Sequence, residues 1–140
     1  MKTLFVALAL ASSLAVAEDA RQLAPLPPAA QESLRQEMLD NLVAVNEVLS
    51  LMAEGKVKEA GATAEAKLGV SAMGKHRMKP FDARPGPHMP PAMHGIGMDG
   101  HKAVSEFAAV AKTGDRDKAL ALLPNLTAGC VACHFSYRTR

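Results

Sequence analysis

Near the chain end stands Gly129-Cys130-Val131-Ala132-Cys133-His134-Phe135-Ser136-Tyr137-Arg138, with the pattern C-x-x-C-H at its centre. Cys130 and Cys133 are the only cysteines in the sequence. On a helix, positions i and i+3 share one side, so both thiols can form thioethers to the two vinyl groups along one porphyrin edge. The next residue is turned by about 100° at 3.6 residues per turn, which carries the His134 imidazole beneath the iron. The pattern is the attachment sequence for c-type haem, with His134 as proximal iron ligand. Two rival readings use the same residues. A thiol oxidoreductase motif opens a helix after a strand, where the helix N-terminus lowers the thiol pKa; no strand pattern precedes this one. A zinc site would need further ligands from histidines elsewhere.

Upstream of the motif the pattern is helical. A fourth helix is expected from Asp115, a plausible N-cap after the turn Thr113-Gly114-Asp115, to about Tyr137. Pro124 lies inside it, and an interior proline costs roughly 3 kcal/mol, so a bend is expected near Leu123. A third helix is expected over Asp99–Lys112, with Val104, Phe107, Ala108 and Ala111 on one face. Residues 73–99 contain five prolines and four glycines, so no long helix is expected to cross them. A weaker second helix runs from about Lys56 to Ser71. The first begins near Ala29 to Gln31 and ends at Glu54-Gly55, with Leu34, Met38, Leu42, Val45, Leu49 and Met52 forming an inward stripe. Residues 18–30 hold three prolines and form an extended lead-in. The expected class is all-α: an antiparallel four-helix bundle with a long Pro/Met/His-rich connection between helices two and three.

The first seventeen residues have a basic start at Lys2, the apolar run Leu4 to Ala11, and the small-x-small ending Ala15-Val16-Ala17. This reads as a secretory signal peptide cleaved after Ala17, leaving a single domain over 18–140. The expected compartment is the periplasm. No other apolar run approaches the ~18 residues of a transmembrane helix, so no integral membrane segment is expected. Removing the signal takes away only Lys2 and leaves fifteen basic against fourteen acidic residues. A near-neutral domain without a basic block argues against nucleic-acid binding. Aromatics make up 4% of the chain and tryptophan is absent, which argues against stacking of bases or sugars.

A helical pattern with C-x-x-C-H in its last helix resembles the class II cytochromes c, the group of cytochromes c′ and c-556. The stretch from Gly114-Asp115 to Tyr137-Arg138 resembles that family's last helix, and Arg35-Gln36 resembles its Arg-Gln near the start of the first. The resemblance implies a periplasmic protein with one covalent haem c per chain and His134 as proximal ligand. It also implies that Arg138 and Arg35 lie near the haem, and that a helix-packed homodimer is available.

The sixth iron position divides the functions. A methionine there gives a low-spin electron carrier; an apolar residue leaves a site open to NO or CO. The resemblance implies a supply from the first helix. The family's methionine position falls on Leu39, with Met38 one residue early. Met38 shares the inward stripe with Leu34 and Leu42 and is the preferred ligand; the alternatives are an open site shielded by Leu39 or Met38, and a ligand from the Met/His segment. That segment (Met73, His76, Met78, His88, Met89, Met93, His94, Met98 and His101) also suits copper by its soft ligands, although methionine equally fills gaps under proline-rich loops. The leading expectation is an electron-carrying haem protein with an unidentified redox partner. A gas-binding cytochrome c′-like protein and a copper-handling protein are the alternatives. No acid, base or nucleophile constellation marks a conventional enzyme.

Overall fold

The computed structural model describes residues 18–140; the expected signal segment, 1–17, lies outside the described residues. The described residues are all-α in class, with four α-helices among them: α1 (Pro28–Ala53), α2 (Val57–Leu68), α3 (Pro91–Ala111) and α4 (Arg116–Ser136). A two-residue strand β1 (Gln22–Leu23) pairs in parallel with β2 (Tyr137–Arg138).

Local chemistry sets the boundaries. Pro28 opens α1, where its fixed φ suits a helix and its missing N–H costs nothing. Beyond the other end of α1, Gly55 adopts φ +76°, the left-handed turn that glycine accepts without strain. Asp115 caps α4, its Oδ1 accepting the Lys118 N–H at 3.1 Å.

Three expectations are corrected. Helix α3 starts at Pro91, eight residues before Asp99. Pro90-Pro91 reads as a breaker, yet a proline in the first turn starts a helix rather than stopping one. The glycines that follow are tolerated, and Gly100 is used: a Cβ on Gly129 of α4 would lie 3.3 Å from the Gly100 Cα. The segment without long helix therefore shrinks to 69–90 and holds three short 3-10 turns, Val70–Ala72, Phe81–Ala83 and Gly86–His88. Secondly, α2 stops at Leu68, short of Ser71. Thirdly, the α1 stripe is rotated. Leu34 and Met52 are buried, but Leu42 and Leu49 are exposed, at 67% and 47%. The buried face instead uses Ala30, Ser33, Ala44 and Val48, because small residues admit the neighbouring helices where leucines would hold them off.

Helix α4 runs unbroken through Pro124. That residue lies on the exposed side, where water can serve the carbonyl that has lost its amide partner. Among the described residues α4 alone is long and apolar enough to cross a membrane, and only 11% of that window is buried.

Packing follows chain order: α1 on α2, α2 on α3, α3 on α4, with α1 and α4 barely touching. The main core is centred on Val48, Met52 and Phe107, all fully buried. A smaller cluster joins the lead-in to the helices through Ala24, Leu26, Ala30, Leu34 and Met93, with Met38, Met89, Cys133 and Tyr137 packed against it. The irregular segment is tied to α1 by polar contacts. His76 Nε2 lies 2.9 Å from Glu37 Oε2 on α1, and Lys79 Nζ donates to Ser33 Oγ at 2.9 Å.

Candidate functional site

Because α1 and α4 hardly touch, a cleft of about 560 Å³ opens beside them. This is within the roughly 300–1,000 Å³ of small-molecule and cofactor sites. Cys130, Cys133 and His134 line it from α4; Arg35 and Met38 line it from α1; Arg138 lines it from β2. Cys130, Cys133, His134, Met38, Arg35 and Arg138 thus border one cavity. Leu39 does not line it and is 46% exposed. Of the two adjacent α1 residues, Met38 is therefore the one placed at the cleft, as a helix that separates neighbours by about 100° requires. A second cavity, of about 600 Å³, lies between α1, the end of α2 and the start of the irregular segment, beside Lys75 and Arg77. Met73 of the Met/His segment borders it; Cys130, Cys133, His134, Met38, Arg35 and Arg138 do not.

The cleft floor is formed in part by Gly97 and Gly100 of α3. A Cβ at Gly97 would meet nothing within 4 Å, so the glycine leaves open volume where any larger residue would intrude. Met89 and Met93 also line the cleft, Met93 with only 5% exposure. Soft thioether donors therefore approach from the irregular segment and α3 as well as from α1. His101 lines it too, and its Nδ1 lies 2.7 Å from the Leu68 carbonyl. A carbonyl only accepts, so Nδ1 carries the proton and Nε2 keeps a lone pair when the ring is neutral.

Burial, and secondarily the neighbouring Cys130, push the Cys133 thiol above its ordinary pKa. A thiol oxidoreductase needs the opposite, a thiolate stabilised by a helix N-terminus or a cation. Cys130 and Cys133 sit instead in the C-terminal half of α4, where the helix dipole disfavours added negative charge.

The cations at the mouth differ in their partners. Arg35 forks onto Glu32, Nε to Oε2 at 2.8 Å and Nη2 to Oε1 at 2.6 Å. Arg138 has a buried Nε without a hydrogen-bond partner, 4.0 Å from Asp19 Oδ2. An orphaned buried donor beside a cleft is a ready partner for an anionic ligand group. Arg21 went unnoticed in the sequence because a proline-rich lead-in carries no periodicity to mark it. Its Nη1 donates to the His134 carbonyl at 3.3 Å.

The remaining Met/His residues are dispersed. His76 is engaged with Glu37, and His88 with the Phe81 carbonyl at 3.1 Å. Met78 is 89% exposed. Among the described residues no group of three or more His, Cys, Asp or Glu side chains is placed to hold a metal ion.

A haem fits these residues on four counts: thiols at i and i+3 with an imidazole next in sequence, a thioether on the opposite helix, a glycine floor, and an unpaired guanidinium N–H at the mouth. No protein-family model, curated protein or solved structure matches this chain.

Proposed function

We propose that the chain is an exported, periplasmic electron carrier, an antiparallel four-helix bundle holding one haem c through thioethers to Cys130 and Cys133. His134 would be the proximal ligand and Met38 the distal one. The observation that carries this reading is the single cleft bordered by Cys130, Cys133 and His134 from one helix and by Met38 from another.

The haem would supply a one-electron iron couple. The chain's own residues do the rest. Cys130 and Cys133 would hold the porphyrin edge to α4, so that the cofactor would stay with the protein through repeated turnover. His134 and Met38 would approach from different helices, and Met38 is held by packing against the smaller apolar cluster. Met93, Leu34 and Val104 supply apolar walls that exclude water. A dry surround and a thioether ligand both raise an iron potential. Arg138 and Arg35 offer guanidinium groups to the porphyrin carboxylates at the mouth.

Two measurements test the reading. Haem colour should stay with the denatured chain through acid–acetone extraction, and the mass should exceed the polypeptide by one haem. Clean extraction of the haem refutes the proposal. The oxidised protein should show the weak far-red band of a sulfur–iron bond, lost in Met38→Ala, and the reduced mutant should then bind CO readily. Rapid CO binding by the wild type, unchanged by that substitution, would replace electron carriage with the gas-binding reading.

A further inference from the structure

The opening between α1 and α4 is bridged at one end by the lead-in, residues 18–26. The parallel pairing of β1 with β2 covers only two residues, and a pair so short has little stability of its own. Side chains and flanking bonds hold it. Ala24 and Leu26 are buried among Ala30, Leu34 and Met93. The Ala24 N–H donates to the Arg138 carbonyl at 2.8 Å, and Gln31 Nε2 to the Thr139 carbonyl at 2.6 Å.

Arg21 is the part of this strap that reaches the motif. Two of its nitrogens grip one carboxylate: Nε to Asp19 Oδ1 at 2.9 Å and Nη2 to Asp19 Oδ2 at 2.7 Å. That fork fixes the guanidinium plane and leaves Nη1 for the His134 carbonyl. Helix α4 ends at Ser136, so His134 belongs to the last turn, whose carbonyls have no intrahelical donor. The Cys133 carbonyl is served by the Tyr137 N–H, and the His134 carbonyl is served by Arg21.

We propose that Arg21, clamped by Asp19, is a positioning residue for His134: it fixes the last turn of α4 and sets a positive charge against the backbone of the iron ligand. The proposal rests on the haem reading above. Ferric iron carries one more positive charge than ferrous, so a nearby cation favours the ferrous form and raises the potential.

The test is the midpoint potential of the holoprotein in three variants, each first checked for full thioether attachment. Arg21→Gln removes the cation and should lower the potential. Asp19→Asn removes the balancing anion and should raise it. Arg21→Lys keeps the charge and should stay near the wild type. A role limited to loosening the strap would move the first two variants the same way, and that outcome overturns the proposal, as does no movement in either. Amide hydrogen exchange at Tyr137 and Arg138 should quicken at least tenfold in Arg21→Gln, and unchanged exchange also overturns the clamp. A wild-type protein without covalent haem sinks the haem reading and the potential effect together, whereas the exchange experiment still decides whether Arg21 holds the strap.

Discussion

At the scale of single residues, Asp19 shows how an exposed carboxylate can hold a segment through pairing alone. The side-chain hydrogen bonds from Arg21, helped by a bond from the Arg21 backbone, lower its pKa from 3.8 to about 2. A carboxyl depressed in the folded state stabilises that state above its unfolded value, and the contribution is lost as pH falls through the folded value. The Asp19–Arg21 fork should thus be fully formed above about pH 4 and lost as pH approaches 2. Carboxyl NMR should place the Asp19 midpoint near 2, and Arg21→Gln should return it towards the ordinary value. A wild-type midpoint near 4 would show that the fork does not persist in solution. High salt should weaken the effect, since the pair is open to solvent. Residue chemistry was legible in the sequence where spacing or resemblance marked it. Cys130, Cys133, His134, Met38, Arg35 and Arg138 were all singled out there, and all border the cleft. Arg21 was not legible, because its role comes from a strand pairing across more than a hundred residues.

At the scale of elements, glycine has two opposite meanings in this chain. Gly61 lies in α2 against α3, and a Cβ there would come within 2.7 Å of the Ala111 Cβ and 3.0 Å of the Ala108 carbonyl oxygen. Gly95 lies inside α3 with nothing within 4 Å of its Cβ position. Replacing a helical glycine by alanine gains up to about 1 kcal/mol in propensity. Overpacking against a rigid helix backbone costs about 1–3 kcal/mol. Gly61→Ala should therefore lower the melting temperature, while Gly95→Ala should raise it slightly. Equal shifts of one sign in both variants would show that the α2–α3 contact adjusts freely. The same contrast explains what the sequence hid about these elements. The existence of four helices was readable from apolar spacing and caps. The start of α3 was not, because Pro90-Pro91, Gly95 and Gly97 carry the composition of a loop. Nor was the rotation of α1, because leucine spacing alone ignores the alanines that let helices approach.

At the scale of the whole molecule, the packing is uneven in a way that ties folding to the cofactor. The half of α4 from Thr127 to Ser136 contains no buried residue, whereas Ala119 and Leu126 anchor its other half. The core around Val48, Met52 and Phe107 is complete without the motif. A short helical stretch with so little burial is marginal in water. A bound porphyrin would add apolar contact to that stretch at roughly 25 cal/mol per Å². Loss of the haem should consequently act locally before it acts globally. In a Cys130→Ala/Cys133→Ala double variant purified without haem, amides in 127–136 should exchange rapidly while those around Phe107 stay protected. Far-UV circular dichroism should retain most of its helix signal, and thermal melting should broaden, as in a partly molten state. The holoprotein should protect both regions and melt in one sharp step. A haem-free variant that melts as sharply as the holoprotein, with 127–136 equally protected, would show that the protein closes its own cleft.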